Sequence, residues 1–507
     1  MNTRNIINII AAAAVCLTGA VSCQGFLDLS NPSEVTGDNY WNNTDEAEAM
    51  LVGCYSPLMD QGLYYNYYNS ADPRALDAFG TYDGDSGWWF WSPAENALYW
   101  GGLNASCDLV ECVWDSCYKG IARCNELLAH LPSMGEDKIS SADSARIMAE
   151  ARFLRCFYYY YLTQYFRDVP LSTEPTSTGY IPVSKKSEIA DFIISELKDV
   201  TSSAALPSTV DDSERGRATL GAAYGLLCRV ALYNERWSEA DSAASAVMGL
   251  GYALEPDYLK LFSEAGCTSK EIVFSVRFST SADANENSIR GFLSTRNQEE
   301  HVSFMTVTAD ILDEYYDRNG QPISKSSLSD LSLPENRDPR YGYNFEGFKS
   351  AWTVDDTGNW IQTSSAYINK YQDWTQNKWS DDQDYYVIRY ADILLMKAEA
   401  QIHLGNEAAA VELINQVRDR ASVSMPHVND EEIAYHGSLM NLLKHERRVE
   451  FAFEGLRYAD LKRWGDYSEL REYKSAGAER STVWPIPQSE LDNNPALTQA
   501  AEWGSAE

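Results

Sequence analysis

Two stretches of the chain, residues 216–248 and 389–421, follow one plan, and that plan limits what the rest can fold into. "GRATLGAAYGLLCRVALYNERWSEADSAASAVM" reads as a helix, a break at Asn234-Glu235-Arg236, and a second helix. "RYADILLMKAEAQIHLGNEAAAVELINQVRDRA" repeats the plan, with its break at Gly405-Asn406. Apolar residues return at spacings of three and four, the period of an amphipathic helix. A small residue on each first helix, Cys228 or Ala398, is matched by an alanine on the second, Ala240 or Ala410, at the same separation. Small residues there let two antiparallel helices approach closely. This is a tetratricopeptide-like hairpin, weakly periodic and interrupted by long insertions.

Two further pairs fit the pattern. One joins a helix over Trp114–Leu128 to "AEARFLRCFYYYYLTQYF", which places Phe153, Leu154, Phe157, Tyr158, Tyr161, Leu162 and Tyr165 on one broad face. The other joins "EIADFIISELKDV", Glu188 to Val200, to a neighbour. The expected fold class is mainly α: about four tetratricopeptide-like helical hairpins, at roughly 110–250 and 385–465. Residues 60–105, 275–385 and 465–507 are rich in Gly, Asn, Asp, Ser and aromatics and poor in helical period. They read as a large irregular, loop-rich part carrying short strands, where binding residues usually live.

The N-terminus predicts export. Residues 1–22 hold one positive charge, Arg4, an apolar run from Ile6 through Ala20, and the small residues Ala20-Val21-Ser22 before Cys23. Those are the three regions of a secretory signal peptide. A cysteine directly after the small residues is similar to a bacterial lipobox, so Cys23 is the expected lipidation site and the start of a single mature body, 23–507. No other segment is long and apolar enough to span a bilayer, so the protein would be anchored rather than inserted. The net charge of −33, from 41 basic and 74 acidic side chains, argues against nucleic acid as a partner.

The ten cysteines do not make a framework. Cys107, Cys112, Cys117 and Cys124 cluster without a zinc-type Cys-x-x-Cys spacing. Cys117 and Cys124 lie seven apart, on one helix face, as core cysteines do. Whether any pair is oxidised outside the cytoplasm stays open. The six histidines form no metal pattern, and His436 and His445 read as surface or packing residues. No phosphate loop or nucleophile elbow is present. No metal and no cofactor is expected.

Six segments then carry a resemblance. They are "CQGFLDLSNPSEVTGDNYWNNTDEAEAMLVGCYSPL", "WDSCYKGIARCNELL", "AEARFLRCFYYYYLTQYFRDVPL", "IRYADILLMKAEAQIHLG" with "INQVRDRA", "ERRVEFAFEGLRYADLKRWG" and "WPIPQSELDNNPALTQ". In this order, over nearly the whole length, they resemble the SusD/RagB family of Bacteroidetes outer-membrane nutrient-binding lipoproteins. The resemblance implies a surface protein that captures oligosaccharide and passes it to a SusC-like TonB-dependent transporter. It would be lipid-anchored in the outer membrane and face the cell exterior.

A glycosidase reading would take Glu450 and Glu454 as acid and base, because hydrolysis needs two carboxylates roughly 5–10 Å apart. Each, however, has an arginine three residues away, Arg447 or Arg457, which favours the charged form and removes the proton a general acid must donate. The expected role is a buried ion network that also takes in the arginines of "IRYAD" and "QVRDRA". The protein is expected not to be an enzyme.

The ligand-binding candidates come from the irregular parts. "SGWWFWS", Ser86–Ser92, is a run that no helix or strand needs, since both faces would be equally aromatic. Around it stand Trp88, Trp89, Trp91 and Trp100 beside Asp72, Arg74, Asp83 and Asp85, with Gly84 and Gly87 to hold the loop clear. Sugar faces stack on indoles, and sugar hydroxyls seek short planar polar partners. Phe90 and Tyr99 are expected to pack under the loop. A second group, Trp352, Trp360 and Trp374, is placed to close the far side. Two other classes stay open: a peptide- or glycopeptide-binding lipoprotein, and a structural surface subunit with no ligand of its own.

Overall fold

The computed structural model describes residues 41–60, 62–64, 86–88, 103–175, 180–281, 305–307, 309–323, 336–354, 360–371, 382–466 and 483–504. Cys23 and the expected signal segment lie outside these. The architecture is mostly helical. Its principal helices are α1 (Thr44–Tyr55), α2 (Asp108–His130), α3 (Ser141–Tyr165), α4 (Lys186–Ser202), α5 (Leu220–Tyr233), α6 (Trp237–Met248), α7 (Tyr390–His403), α8 (Glu407–Arg418), α9 (Leu439–Glu450) and α10 (Arg457–Trp464). The strands that matter here are β1 (Ser86–Trp88), β2 (Ile272–Val276), β3 (Met305–Val307), β4 (Phe345–Val354), β5 (Trp360–Ile368) and β6 (Tyr385–Arg389).

The helix breaks fall where the sequence placed them. α5 ends at Tyr233 and α6 opens at Trp237; α7 ends at His403 and α8 opens at Glu407. Glu235 (φ 59°) and Gly405 (φ 81°) take left-handed backbone, which stops a right-handed helix. Connections this short turn the chain back along itself, so each pair is a helical hairpin. α5 packs on α6, α6 on α7 and α7 on α8. Cys228, Ala240, Ala398 and Ala410 are all fully buried. Where α6 begins, Trp237 lies flat on His403 at the end of α7, with ring centroids 3.8 Å apart. The other two expected pairings are present as well: α2 packs on α3, and α4 packs on both α3 and α5.

α3 differs from its expected single face. Arg155, Cys156, Tyr159 and Tyr160 are buried along with the predicted residues, so the second half of the helix, from about Phe153, is covered nearly all round, as a segment without a polar face must be. Burying tyrosines this way requires partners for their hydroxyls. Tyr158 donates to the carbonyl of Cys54 (2.7 Å) and Tyr159 to that of Ser172 (2.7 Å). Arg155 is held by Asn125 (2.9 Å) and Glu196 (2.8 Å). Against α3, Gly120 of α2 has no alternative: a Cβ there would lie 2.3 Å from the Tyr158 ring.

Helices α1 to α6 share one continuous apolar core with β2 and β6. A second core joins α7, α8 and α9 through Leu394, Leu395, Leu413, Ile414, Leu442 and Leu443. The eight described cysteines are all free, and Cys117 and Cys124 are core residues. Among the described residues no helix is long and apolar enough to cross a membrane.

The stretch 275–385 holds more regular structure than expected. β4 runs ten residues and β5 nine, paired antiparallel. Their β-branched and aromatic residues (Trp352, Thr353, Val354; Trp360, Ile361, Thr363) flank the turn formers Asp355-Asp356-Thr357-Gly358-Asn359, which is a hairpin signature.

Candidate functional site

The loop-rich parts are rooted in one place. β2 pairs antiparallel with β6, from Ile272 opposite Arg389 to Val276 opposite Tyr385. Past Val276 the chain runs to Thr280, which is hydrogen-bonded through its amide and hydroxyl to Asp382. The third segment arrives through Tyr64, whose ring lies on Tyr385 with centroids 4.5 Å apart; Tyr161 and Phe157 of α3 stand behind it at 5.8 and 6.3 Å. Both tyrosines are buried. So Tyr64, Thr280 and Asp382 all lie by the β2–β6 pair.

Two further strand pairs lie in the loop-rich part. Ser86–Trp88 lies antiparallel to Met305–Val307, with Trp88 opposite Met305. β3 lies beside β5, and β5 pairs with β4 so that Trp352 stands opposite Gln362 and Val354 opposite Trp360. Strand side chains alternate between faces, so positions 352 and 360 belong to the same face of the hairpin. The backbone positions of Trp88, Trp352 and Trp360 thus fall in one strand assembly. Trp89, Trp91, Trp100, Asp72, Arg74, Asp83, Asp85 and Trp374 lie outside the described residues.

Beside the β2–β6 pair sits a carboxylate that no sequence motif marks. Asp384 is fully buried. It accepts hydrogen bonds from Arg215 Nε (2.8 Å) and Ser275 Oγ (3.2 Å), while its Oδ1 has no partner. Burial pushes its pKa up to about 6 despite Arg215. Only the three-dimensional meeting of Arg215, Ser275 and Asp384 reveals it.

The other carboxylates of interest are locked. Glu450 is buried and accepts from Arg389 (2.8 Å), Arg420 (3.0 Å) and Arg340 (3.1 Å). Burial alone would raise its pKa, but the three guanidiniums outweigh that and hold it at about 2. Glu454 accepts from Arg389 (2.6 Å) and from Lys370. Arg418 binds Glu446 (2.8 Å) and Arg420 binds Glu271 (2.7 Å). The network and its arginines from "IRYAD" and "QVRDRA" are as expected, but its pairing is not. Arg447 binds Asp392 and Asp460 (both 2.8 Å) instead of Glu450. α9 ends at Glu450, and Phe453 (φ 62°) and Gly455 (φ 75°) turn the chain away, so Glu454 and Arg457 do not share a helical turn. His436 and His445 pack against Tyr316, with ring centroids 5.8 and 4.4 Å away.

With this geometry in hand, the comparisons agree with one another. A family profile described as "SusD family" matches residues 270–482, and one described as "Starch-binding associating with outer membrane" matches residues 25–232. The chain is 23% identical to SusD-like protein P25 of Formosa agariphila, over 99% of this chain and 98% of that protein. It is 23% identical to the starch-binding protein SusD of Bacteroides thetaiotaomicron, over 98% and 99%. Among solved structures, a SusD-like carbohydrate-binding protein of Bacteroides fragilis superimposes with a TM-score of 0.75 at 25% identity, covering 90% of this chain and 99% of that one. Surface glycan-binding protein A of Bacteroides thetaiotaomicron, solved with laminarihexaose, does so with a TM-score of 0.69 at 21% identity, over 90% and 99%. Six ordered sequence segments, helical layers of the expected pairing and both family profiles agree: the chain belongs to the SusD/RagB family.

Proposed function

We propose that the protein is a non-catalytic glycan-binding lipoprotein of the outer membrane, anchored through Cys23 and facing the cell exterior. It captures an oligosaccharide and hands it to a SusC-like TonB-dependent transporter. The ligand surface is built from Trp88, Trp89, Trp91 and Trp100 with Asp72, Arg74, Asp83 and Asp85, and closed by Trp352, Trp360 and Trp374. One observation carries this reading: the antiparallel pairing of Ser86–Trp88 with Met305–Val307, beside the strand that begins at Trp360. It brings the backbones of two tryptophan-bearing segments, far apart in sequence, near one another. The locked state of Glu450 supports a binding role over hydrolysis.

The test is a panel of polysaccharides that includes starch and laminarin, screened by affinity electrophoresis, followed by Trp88→Ala, Trp89→Ala and Trp91→Ala. Loss of a stacking ring removes about 1–3 kcal/mol, or about one to two orders of magnitude in affinity. At least one variant loses most of its binding with an unchanged melting temperature. If all three bind normally, or all three melt early, the platform is not in this loop.

A further inference from the structure

Two buried thiols meet where α1 lies on α2. Cys54 stands in the last turn of α1, and Cys124 in the second half of α2. The helices pack on each other, and both side chains are fully buried. The backbone around them is tightly held. Arg123, the residue before Cys124, donates from Nη1 to the carbonyl of Gly53 (2.8 Å) and to Ser56 Oγ (2.5 Å), on either side of Cys54. Tyr158 of α3 donates to the carbonyl of Cys54 itself (2.7 Å). The Tyr158 ring fills the space beside Gly120, one turn before Cys124. Held in this way, the side chains of Cys54 and Cys124 are hydrogen-bonded to each other. Both stand as thiols in the structure. Cys156 of α3 is a further neighbour of Cys124.

Thiol pairs survive in a reducing cytoplasm, whereas exported chains meet disulfide oxidants. We propose that Cys54 and Cys124 are joined by a disulfide in the exported protein, closing a ring of chain that carries Trp88, Trp89, Trp91 and Trp100; this rests on the export reading given above. The bond forms by two exchanges with a protein or small-molecule disulfide. One cysteine thiolate attacks that disulfide, giving a mixed disulfide and one released thiol. The second cysteine thiolate then displaces the other half. Two electrons and two protons pass from the cysteines to the oxidant, which ends as two thiols. Burial sets the timing. It holds the Cys124 thiol well above its usual pKa, and a thiol is a weak nucleophile. The bond therefore forms before α1 seats on α2, and afterwards it lies out of reach of reductants. It is a structural crosslink, and it ties together the two ends of the tryptophan-bearing stretch.

The experiment takes the full-length protein from fractionated cells and unfolds it in guanidinium without reductant while N-ethylmaleimide blocks every free thiol. Reduction then frees any bonded thiols, iodoacetamide labels them, and peptide mass spectrometry maps both labels. Cys54 and Cys124 are expected to carry the second label, and Cys228 and Cys267 the first. Protein reduced, then refolded with its thiols kept reduced, should melt about 2–5 °C below the cell-derived protein. Cys156→Ala should leave the bond in place; its loss in that variant would count against the assigned pair. The first label on both Cys54 and Cys124 in membrane-bound protein overturns the proposal and leaves the export reading standing. A bond from Cys124 to Cys156 does the same. Protein found only in the cytoplasm, with Cys54 and Cys124 free, overturns the export reading and the proposal together.

Discussion

Tyr64 lies on Tyr385 with ring centroids 4.5 Å apart, which joins a segment near the N-terminus to one more than three hundred positions later. Tyr385 also donates its hydroxyl to the carbonyl of Glu454 (3.1 Å). The pair is therefore both the root of the loop-rich part and a link to the ion network. Tyr64→Ala should cost about 3–5 kcal/mol of stability through the cavity it leaves, and should weaken glycan binding as the loop roots shift. Tyr385→Phe keeps the ring and loses one hydrogen bond, about 1 kcal/mol. Urea unfolding of the two variants distinguishes these sizes; equal losses would remove the stack from its assigned role.

Glu450→Gln leaves Arg389, Arg420 and Arg340 facing a neutral amide in a buried site. Breaking a buried ion group in this way costs about 3–5 kcal/mol. Glu446 and Glu450 are both held down at about 2. Their contribution is complete above the unfolded carboxylate value of about 4.3 and is lost as pH falls from there towards about 2. Acid unfolding of the wild type should steepen in that window and be shallower in the variant. No new reducing ends should form from any bound glycan in either protein.

Asp384 works with the opposite sign. Its folded pKa of about 6 lies above the unfolded value of about 3.9, so the folded state binds the proton more tightly. Its effect is to lower stability as pH rises from about 4 to 6. Asp384→Asn should remove that slope, measured as unfolding free energy against pH. A slope that persists unchanged would show that Asp384 titrates normally.

Cys23→Ala tests the anchor. Without the thiol there is nothing to acylate, and a single polypeptide with no spanning helix among its described residues should leave the membrane fraction. Unchanged membrane association on fractionation would reject the lipoprotein reading.

Much of the helical part was legible because its signals are local. Glu235 and Gly405 mark chain reversals, and the apolar spacing on either side needs no distant partner to be read. α3 was harder, because a tyrosine reads as half-polar until its hydroxyl meets a carbonyl, as Tyr158 meets Cys54. The ion network could be named but not wired. Spacing suggested Arg447 with Glu450; the turn at Phe453 and Gly455, and the arrival of Arg389 and Arg340 from other segments, decided otherwise. Trp88 could be marked as ring-rich surface, but its pairing with Met305 is a contact across more than two hundred residues, and no short-range pattern encodes it. Asp384 was invisible for the same reason.

The arginines around Glu450 come from separate places: Arg340 from the short helix Pro339–Asn344 before β4, Arg389 from the end of β6 and Arg420 from just after α8. A buried carboxylate tolerates no intermediate in which one of them is absent, because the remaining charges would then stand unbalanced out of water. The helical layers and the strand pair that roots the binding loops therefore have no cheap way to open separately. Amide protons in β6 and in α9 should exchange through one shared opening, at the free energy of global unfolding. A surface receptor gains from that arrangement: pulling on its loops during ligand transfer cannot peel one layer at a time, and the load falls on the whole cooperative unit.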